Sequence, residues 1–383
     1  MKVDIYKLFF TIIPFLYFSS CSNDDPVPTP ESPRAVLVYM VANNSLGNAQ
    51  FDSEDLAEMA KAARQGDFGD ARLIVYHHAY KANPVLKEIT PNGEIILRNY
   101  DISESSVSSA RMNRVILDFF NEAPATNHGI ILWSHGTGWI ENGIVESPQN
   151  IASSDSSIST LSFGDDGGKY MNVTTLARTL SDKNFDYIYF DCCYMAGVEV
   201  AYELRNCAET IVGSVTELPA AGMPYDKTLK YLLLPQADLI SAAKTTFNTY
   251  NVMTGMNRTC TMSVIHTKYL EALADATRNI YAANNITSEN FQPQYFMTSA
   301  CYLFDFGQYV NELAAQMPDL ADNFNKALDD VITYKASTPK LWNKLTITHH
   351  SGLSTYLPEF AKTNRYNYDN LQWAKDVASA LQR

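Results

Sequence analysis

A chain of 383 residues, 46% hydrophobic and 12% aromatic, can bury a large core, as two or so domains or as one elaborated α/β domain. Its formal charge of −13, with no basic run, excludes nucleic acid as a partner, because phosphate backbones are bound by Lys and Arg. Its six cysteines match no zinc spacing, and a core this size needs no disulfide framework.

The N-terminus reads apart from the fold. Lys2 and Lys7 give a weakly basic start, and residues 8–18 (LFFTIIPFLYF) form an apolar stretch of signal-peptide length, too short to span a bilayer. The stretch ends in Phe18-Ser19-Ser20-Cys21. Small residues before a cysteine resemble the cleavage box of bacterial lipoproteins, although Phe18 stands where a leucine is usual. Residues 1–20 are therefore expected to be a lipoprotein signal peptide, with an ordinary secretory signal as the alternative. Cys21 would carry the lipid and anchor the chain to the outer membrane, facing the cell surface or the periplasm. The tract Ser22-Asn23-Asp24-Asp25 resembles that of lipoproteins sent to the outer surface. Residues 21–34 are otherwise a stiff, Pro-rich linker.

From Ala35 onward, apolar runs alternate with segments of helical spacing. Residues 36–41 read as a strand, and residues 52–63 as a helix with Leu56, Met59, Ala60 and Ala63 in phase. Residues 71–76 are a second strand, and 95–100 an extra hairpin strand. Residues 108–121 form a helix with Met112, Val115, Ile116 and Phe119 on one face.

Two runs then stand out. Residues 129–136 (GIILWSHG) stop at Ser134-His135-Gly136, and residues 186–193 (DYIYFDCC) stop at Asp191-Cys192-Cys193. Runs this apolar read as strands buried on both faces of a parallel sheet. Ligands in open α/β sheets bind beyond the carboxyl ends of the strands. One strand should deliver a His, and another a Cys, to the same edge. That pair is the minimal equipment of a cysteine hydrolase.

Between the two runs, residues 141–168 are rich in Ser, Asp and Gly without periodicity and read as a loop, followed by a helix over 174–180. A helix over 196–205 and a strand over 210–215 follow Cys193. Beyond Tyr225 the pattern weakens: 233–251, 267–281 and 305–317 look helical and should cover the sheet or form a subdomain. The expected class is α/β, an αβα sandwich with a mostly parallel central sheet plus a helical C-terminal elaboration. Its core would span 35–230, and a C-terminal helical and strand subdomain would span 231–383. His349 and His350 are not read as a metal pair, since neighbours on a strand point to opposite faces. Cys207, Cys260 and Cys301 are left open between bridges and buried thiols.

The segments 132–139 (LWSHGTGW) and 190–199 (FDCCYMAGVE) resemble the clostripain-like cysteine peptidases, relatives of caspases, gingipains and legumain. That family's pattern is an apolar run, then His-Gly-x-Gly-Trp, and later Phe-Asp-x-Cys-x-Met. Residues 35–46, 213–229 and 351–358 add weaker matches, so the resemblance covers essentially 35–358. It implies a caspase-like peptidase with a catalytic dyad of His135 and Cys193. Cys192 falls on a variable position. The resemblance also implies an oxyanion hole formed by the amides of Gly136 and Cys193. Asp191 matches the pocket acid that selects Arg or Lys on the acyl side of the cut. A second acid usual before the Tyr of a Gly-x-x-Tyr motif is replaced by Pro224, with Glu217 and Asp226 as nearby substitutes.

The partners implied are a peptide or protein substrate and, through the lipid, a membrane. No cofactor or metal is expected; a calcium requirement, which some relatives show, is not fixed by these residues. The resemblance implies an activation cut between the two motifs, within residues 141–172, with a passive surface insertion as the alternative. A catalytically silent surface binding protein retaining the fold is the competing reading, and the intact motifs argue against it. A serine hydrolase is excluded by the lack of a Gly-x-Ser-x-Gly elbow, and a nucleotide-binding protein by the lack of a Gly-rich phosphate loop.

Overall fold

The strand pattern read from the sequence resolves into one nine-stranded sheet. The computed structural model describes residues 32–140, 162–283, 291–297, 303–357 and 368–381. The strands are β1 (Ser32–Val41), β2 (Arg72–His78), β3 (Val85–Thr90), β4 (Gly93–Asn99), β5 (Ala125–Trp133), β6 (Phe185–Asp191), β7 (Ala208–Gly213), β8 (Thr261–His266) and β9 (Ile332–Ser337). Their order is β9-β8-β7-β6-β5-β1-β2-β3-β4. The middle strands, β7 to β2, are parallel. Two antiparallel strands flank them on each side.

Burial of both sheet faces explains the continuous apolar runs. In β1, Leu37, Tyr39 and Val41 enter one core while Val36, Val38 and Met40 enter the other. The first core is closed by α2 (Ser109–Glu122), α3 (Val173–Leu180), α4 (Val198–Glu203) and the C-terminal helices α7 (Leu270–Ala283), α8 (Phe306–Leu313), α9 (Pro318–Val331) and α10 (Gln372–Asp376). The second is closed by α1 (Phe51–Gln65), α5 (Tyr225–Leu232) and α6 (Leu239–Asn251). The molecule is thus the αβα sandwich expected. Among the parallel strands the order is the doubly wound 2-1-3-4-5, and its switch point lies between β1 and β5. A crevice opens at such a point, beyond the carboxyl ends of the strands.

The C-terminal half departs from the sequence reading. Residues 233–251 are not one helix. Pro235 cannot continue a helix, so the chain breaks after α5, and the Asp238 side chain caps α6 by accepting from the Ser241 amide. Residues 305–317 yield a shorter helix, α8, capped by Asp305. Strands β8 and β9 and helix α9 had no expected counterpart. The strands extend the same sheet as the N-terminal half.

The stretch 141–168 is not loop throughout: Phe163–Asp166 pairs with Lys169–Met171 as a hairpin. Residues 1–20, Cys21, the linker up to residue 31, residues 141–161 and Cys301 lie outside the described residues. Cys207 and Cys260 are buried free thiols. Among the described residues no helix is long and apolar enough to cross a membrane, and no His, Cys, Asp and Glu cluster is suited to a metal.

Candidate active site

Strands β5 and β6 end in register, Trp133 opposite Asp191, so the residues that follow emerge side by side at one edge. Ser134 is used up by the backbone: its Oγ donates to the Val41 carbonyl (2.8 Å) and accepts from the Asp165 amide (3.1 Å). Next come His135 and Gly136. A Cβ on Gly136 would lie 2.8 Å from the Cys193 carbonyl oxygen and 2.9 Å from Cys192 Cβ, so only glycine allows this approach. The Gly164 amide donates to the His135 carbonyl (3.0 Å) and the Thr137 amide to the Ser162 carbonyl (3.4 Å), pinning the histidine loop to the hairpin.

The two cysteines part after β6. Cys192 turns inward, 3% exposed, and its thiol donates to the Leu132 carbonyl at 3.0 Å. Cys193 turns the other way, is partly exposed, and receives the Leu218 amide on its sulfur at 3.3 Å. Tyr194 follows with φ of +62°, a left-handed conformation that strains a bulky residue. Its amide donates to the Thr216 carbonyl (3.0 Å), and the Ala196 amide to the Ser214 carbonyl (2.9 Å). These bonds hold the sharp turn that presents Cys193.

His135, Gly136, Asp191, Cys193 and Glu217 all line one cavity of about 430 Å³. Burial pushes the Cys193 thiol up to about 12; the Leu218 amide opposes this, and the charges of Glu217 and Asp191 add to it. Burial pushes the His135 imidazole below its usual range, opposed by Asp165. Burial thus disfavours the charged form of both thiol and imidazole. Their partners differ too: His135 Nε2 is hydrogen-bonded to Ser45 Oγ at 2.9 Å, not to the sulfur. Among the described residues neither the Gly136 amide nor the Cys193 amide has an acceptor.

Asp191 forms part of the cavity wall and is 6% exposed. It accepts from the Met223 amide (3.0 Å) and the Tyr225 hydroxyl (3.1 Å). Gly222, at φ +57°, passes directly over it: a Cβ there would fall 2.7 Å from Asp191 Oδ2. The Gly-x-x-Tyr motif is therefore a cradle for this carboxyl. Behind it sits Asp55 of α1, 2% exposed, accepting from Trp133 Nε1 at 2.6 Å. Burial raises both carboxyls above their ordinary range, and the Asp191 charge raises Asp55 further.

Glu217 lines the cavity; Asp226 does not. In the first turn of α5, Asp226 is ion-paired with Lys61 of α1, which corrects its expected place in the pocket. Proximity in sequence to Glu217 does not carry over, because the helix turns Asp226 toward α1. Pro224 is the residue before that helix. Sequence reasoning missed Ser45, Asp165, Asp55 and Trp342, of which all but Asp55 line the cavity. Only Ser45 had a signal, lying in the 35–46 segment already matched to the family.

The clostripain family model matches residues 38–382. An inactive zymogen C11 protease from Parabacteroides distasonis is 27% identical over 92% of this chain and 99% of its own, with a TM-score of 0.74. A secreted C11 cysteine protease from Bacteroides thetaiotaomicron, solved with an irreversible peptide inhibitor, is 26% identical over 90% of this chain and 99% of its own, with a TM-score of 0.74. Another from that organism, iotapain, shares the fold at 21% identity and a TM-score of 0.77, over 93% of this chain and all of its own. Comparison with curated proteins gives no match. With the cavity at the switch point and the family pattern spanning the sheet and its helices, the chain belongs to the clostripain family and is a cysteine peptidase.

Proposed function

We propose that this protein is an endopeptidase in which Cys193 is the nucleophile and His135 its proton carrier, cutting after Arg or Lys. The observation that carries the proposal is the shared cavity, which Cys193, His135, Gly136 and a buried acid all line. A peptide substrate also suits the Bacteroides thetaiotaomicron relative, which was solved with a peptide inhibitor.

Cys193 Sγ attacks the scissile carbonyl carbon, and the carbonyl pair moves onto oxygen. The Gly136 and Cys193 amides receive that oxyanion. The thiol proton passes to His135, which delivers it to the amine nitrogen as the C–N bond breaks. Water then adds to the thioester carbon, and its proton returns through His135 to the departing sulfur. Since burial disfavours the charged form of both groups beforehand, this transfer belongs to the substrate-bound site. Ser45 fixes the imidazole for it.

The acidic wall supports the basic preference. Among the described residues no Lys or Arg is paired with Asp191 or Asp55. Buried carboxyls without a cation are costly, and a bound Arg or Lys side chain relieves that cost. Glu217 adds a further acid to the lining. The N-terminal pattern supports an outer-membrane anchor through lipid on Cys21. Fluorogenic peptides varied at P1, the residue on the acyl side of the cut, test the reading with purified mature protein. Best cleavage after a neutral or acidic residue would overturn the specificity. Unchanged membrane partitioning of Cys21→Ser would overturn the anchor.

A further inference from the structure

A β-hairpin far along the chain contributes to the cavity. Lys340–Leu341 pairs with Leu345–Thr346, and the Lys344 amide donates to the Leu341 carbonyl at 2.9 Å. Both residues inside this turn are left-handed, Trp342 at φ +50° and Asn343 at φ +55°. Turns of this kind favour Asn and Gly, so a tryptophan at the first position is strained. It is held there. Leu341 is buried, the Trp342 amide donates to Thr259 Oγ1 (3.3 Å), and Thr338 exchanges bonds with the Cys260 backbone. Trp342 lines the cavity.

Its anchors lead back to the residues around Asp191. Thr259 lies in the connection between α6 and β8. The same connection begins beside Tyr250, whose hydroxyl donates to the Gly222 carbonyl. Gly222 covers Asp191. The hairpin and the cover of Asp191 are thus tied to opposite ends of one connection, and Trp342, Gly222 and Asp191 all line the same cavity. An aromatic wall beside a carboxylate suits a planar cation, which can pair with one and stack on the other.

We propose that Trp342 contacts the P1 side chain and stacks on its guanidinium, favouring Arg over Lys. The proposal rests on the basic P1 reading above. The test measures kcat and KM for peptides with Arg, Lys or norleucine at P1, using wild type, Trp342→Ala, Trp342→Gly and Trp342→Phe. Iodoacetamide labelling of Cys193 reports an intact site independently of P1. Removing the ring should raise KM for the Arg peptide roughly three- to thirty-fold, with a smaller effect for Lys and little change in kcat. Phe should restore most of the loss. Gly, which accepts positive φ without strain, replaces Ala should the turn unfold. An unchanged Arg-to-Lys ratio in a ring-less variant that still labels would overturn the proposal. A wild type that prefers norleucine overturns the basic reading itself, a result visible without any variant.

Discussion

Gly136 and Cys193 meet backbone to backbone: a Cβ on the glycine would lie 2.8 Å from the cysteine carbonyl oxygen. The contact binds the loop after β5 to the turn after β6 and sets the spacing of the Gly136 and Cys193 amides. Gly136→Ala must push the two segments apart. The sheet ends at Trp133, so the variant should stay folded. Its kcat/KM should fall about 100-fold or more, the scale of losing an oxyanion donor. Circular dichroism and peptide cleavage check this, and near-wild-type activity would remove Gly136 from the site.

Cys192 and Cys193 should separate cleanly. Cys193→Ala loses all peptidase activity. Cys192→Ala keeps it while losing about 1 kcal/mol of stability, since it deletes a buried sulfur and its bond to the Leu132 carbonyl. Denaturant melts and cleavage assays on both variants decide. Activity in Cys193→Ala with none in Cys192→Ala would reverse the assignment.

The free protein should label slowly at neutral pH. Burial holds the Cys193 thiol at about 12, so the reactive thiolate is scarce at pH 7. Iodoacetamide labelling of Cys193 should therefore rise about tenfold per pH unit from 7 to 10 without a plateau. A flat rate across neutral pH would indicate a preformed thiolate–imidazolium pair, which the His135–Ser45 bond argues against.

Much of the site was legible because strand ends are legible. The runs before Ser134 and Asp191 name their strands, and the alternation within them separates Cys192 from Cys193. What stayed hidden depends on packing between distant segments. Asp55 reads as an ordinary helix acid until Trp133 is seen bonded to it. Asp226 was misplaced because a helix turn, not sequence distance, decides what it faces. Strand β8 was missed because Thr261 and Ser263, both polar, are buried in it; Thr261 bonds Ser214 at 2.7 Å, which no hydrophobic pattern reveals. Trp342 owes its role to a turn conformation that its own residue type disfavours.

Asp191→Asn tests the acidic wall without dismantling it. An amide oxygen can still accept from Met223 or Tyr225, so the fold should survive with a modest loss of stability. A cation next to the carboxylate gains a charge-assisted hydrogen bond of about 1.5–3 kcal/mol. At about 1.4 kcal/mol per decade, the preference for Arg and Lys should drop roughly ten- to hundred-fold. Retention of that preference would place selection elsewhere in the cavity.

Glu199 gives the chain a pH-dependent joint outside the cavity lining. It is fully buried in the first turn of α4, two segments that the family pattern marked separately meeting at its carboxyl. Oε1 accepts from the Thr355 hydroxyl and the Tyr356 amide, each at 2.8 Å. Among the described residues, Oε2 and the nearby Ser354 Oγ have no hydrogen-bond partner. Burial raises the carboxyl from 4.5 to about 7, with the Tyr356 amide opposing. The native state thus keeps a proton that the unfolded chain releases near 4.5. The resulting stability is full below that pH and is lost as pH rises toward 7, by up to about 3 kcal/mol at 1.36 kcal/mol per pKa unit. Glu199→Gln removes the titration, keeps an acceptor for Thr355 and Tyr356, and offers Ser354 a donor. It should exceed wild type in unfolding free energy by about 1–3 kcal/mol at pH 8, and the gap should close toward pH 4. Denaturant melts of both proteins across that range decide the matter, and a gap independent of pH would show that Glu199 does not titrate within it.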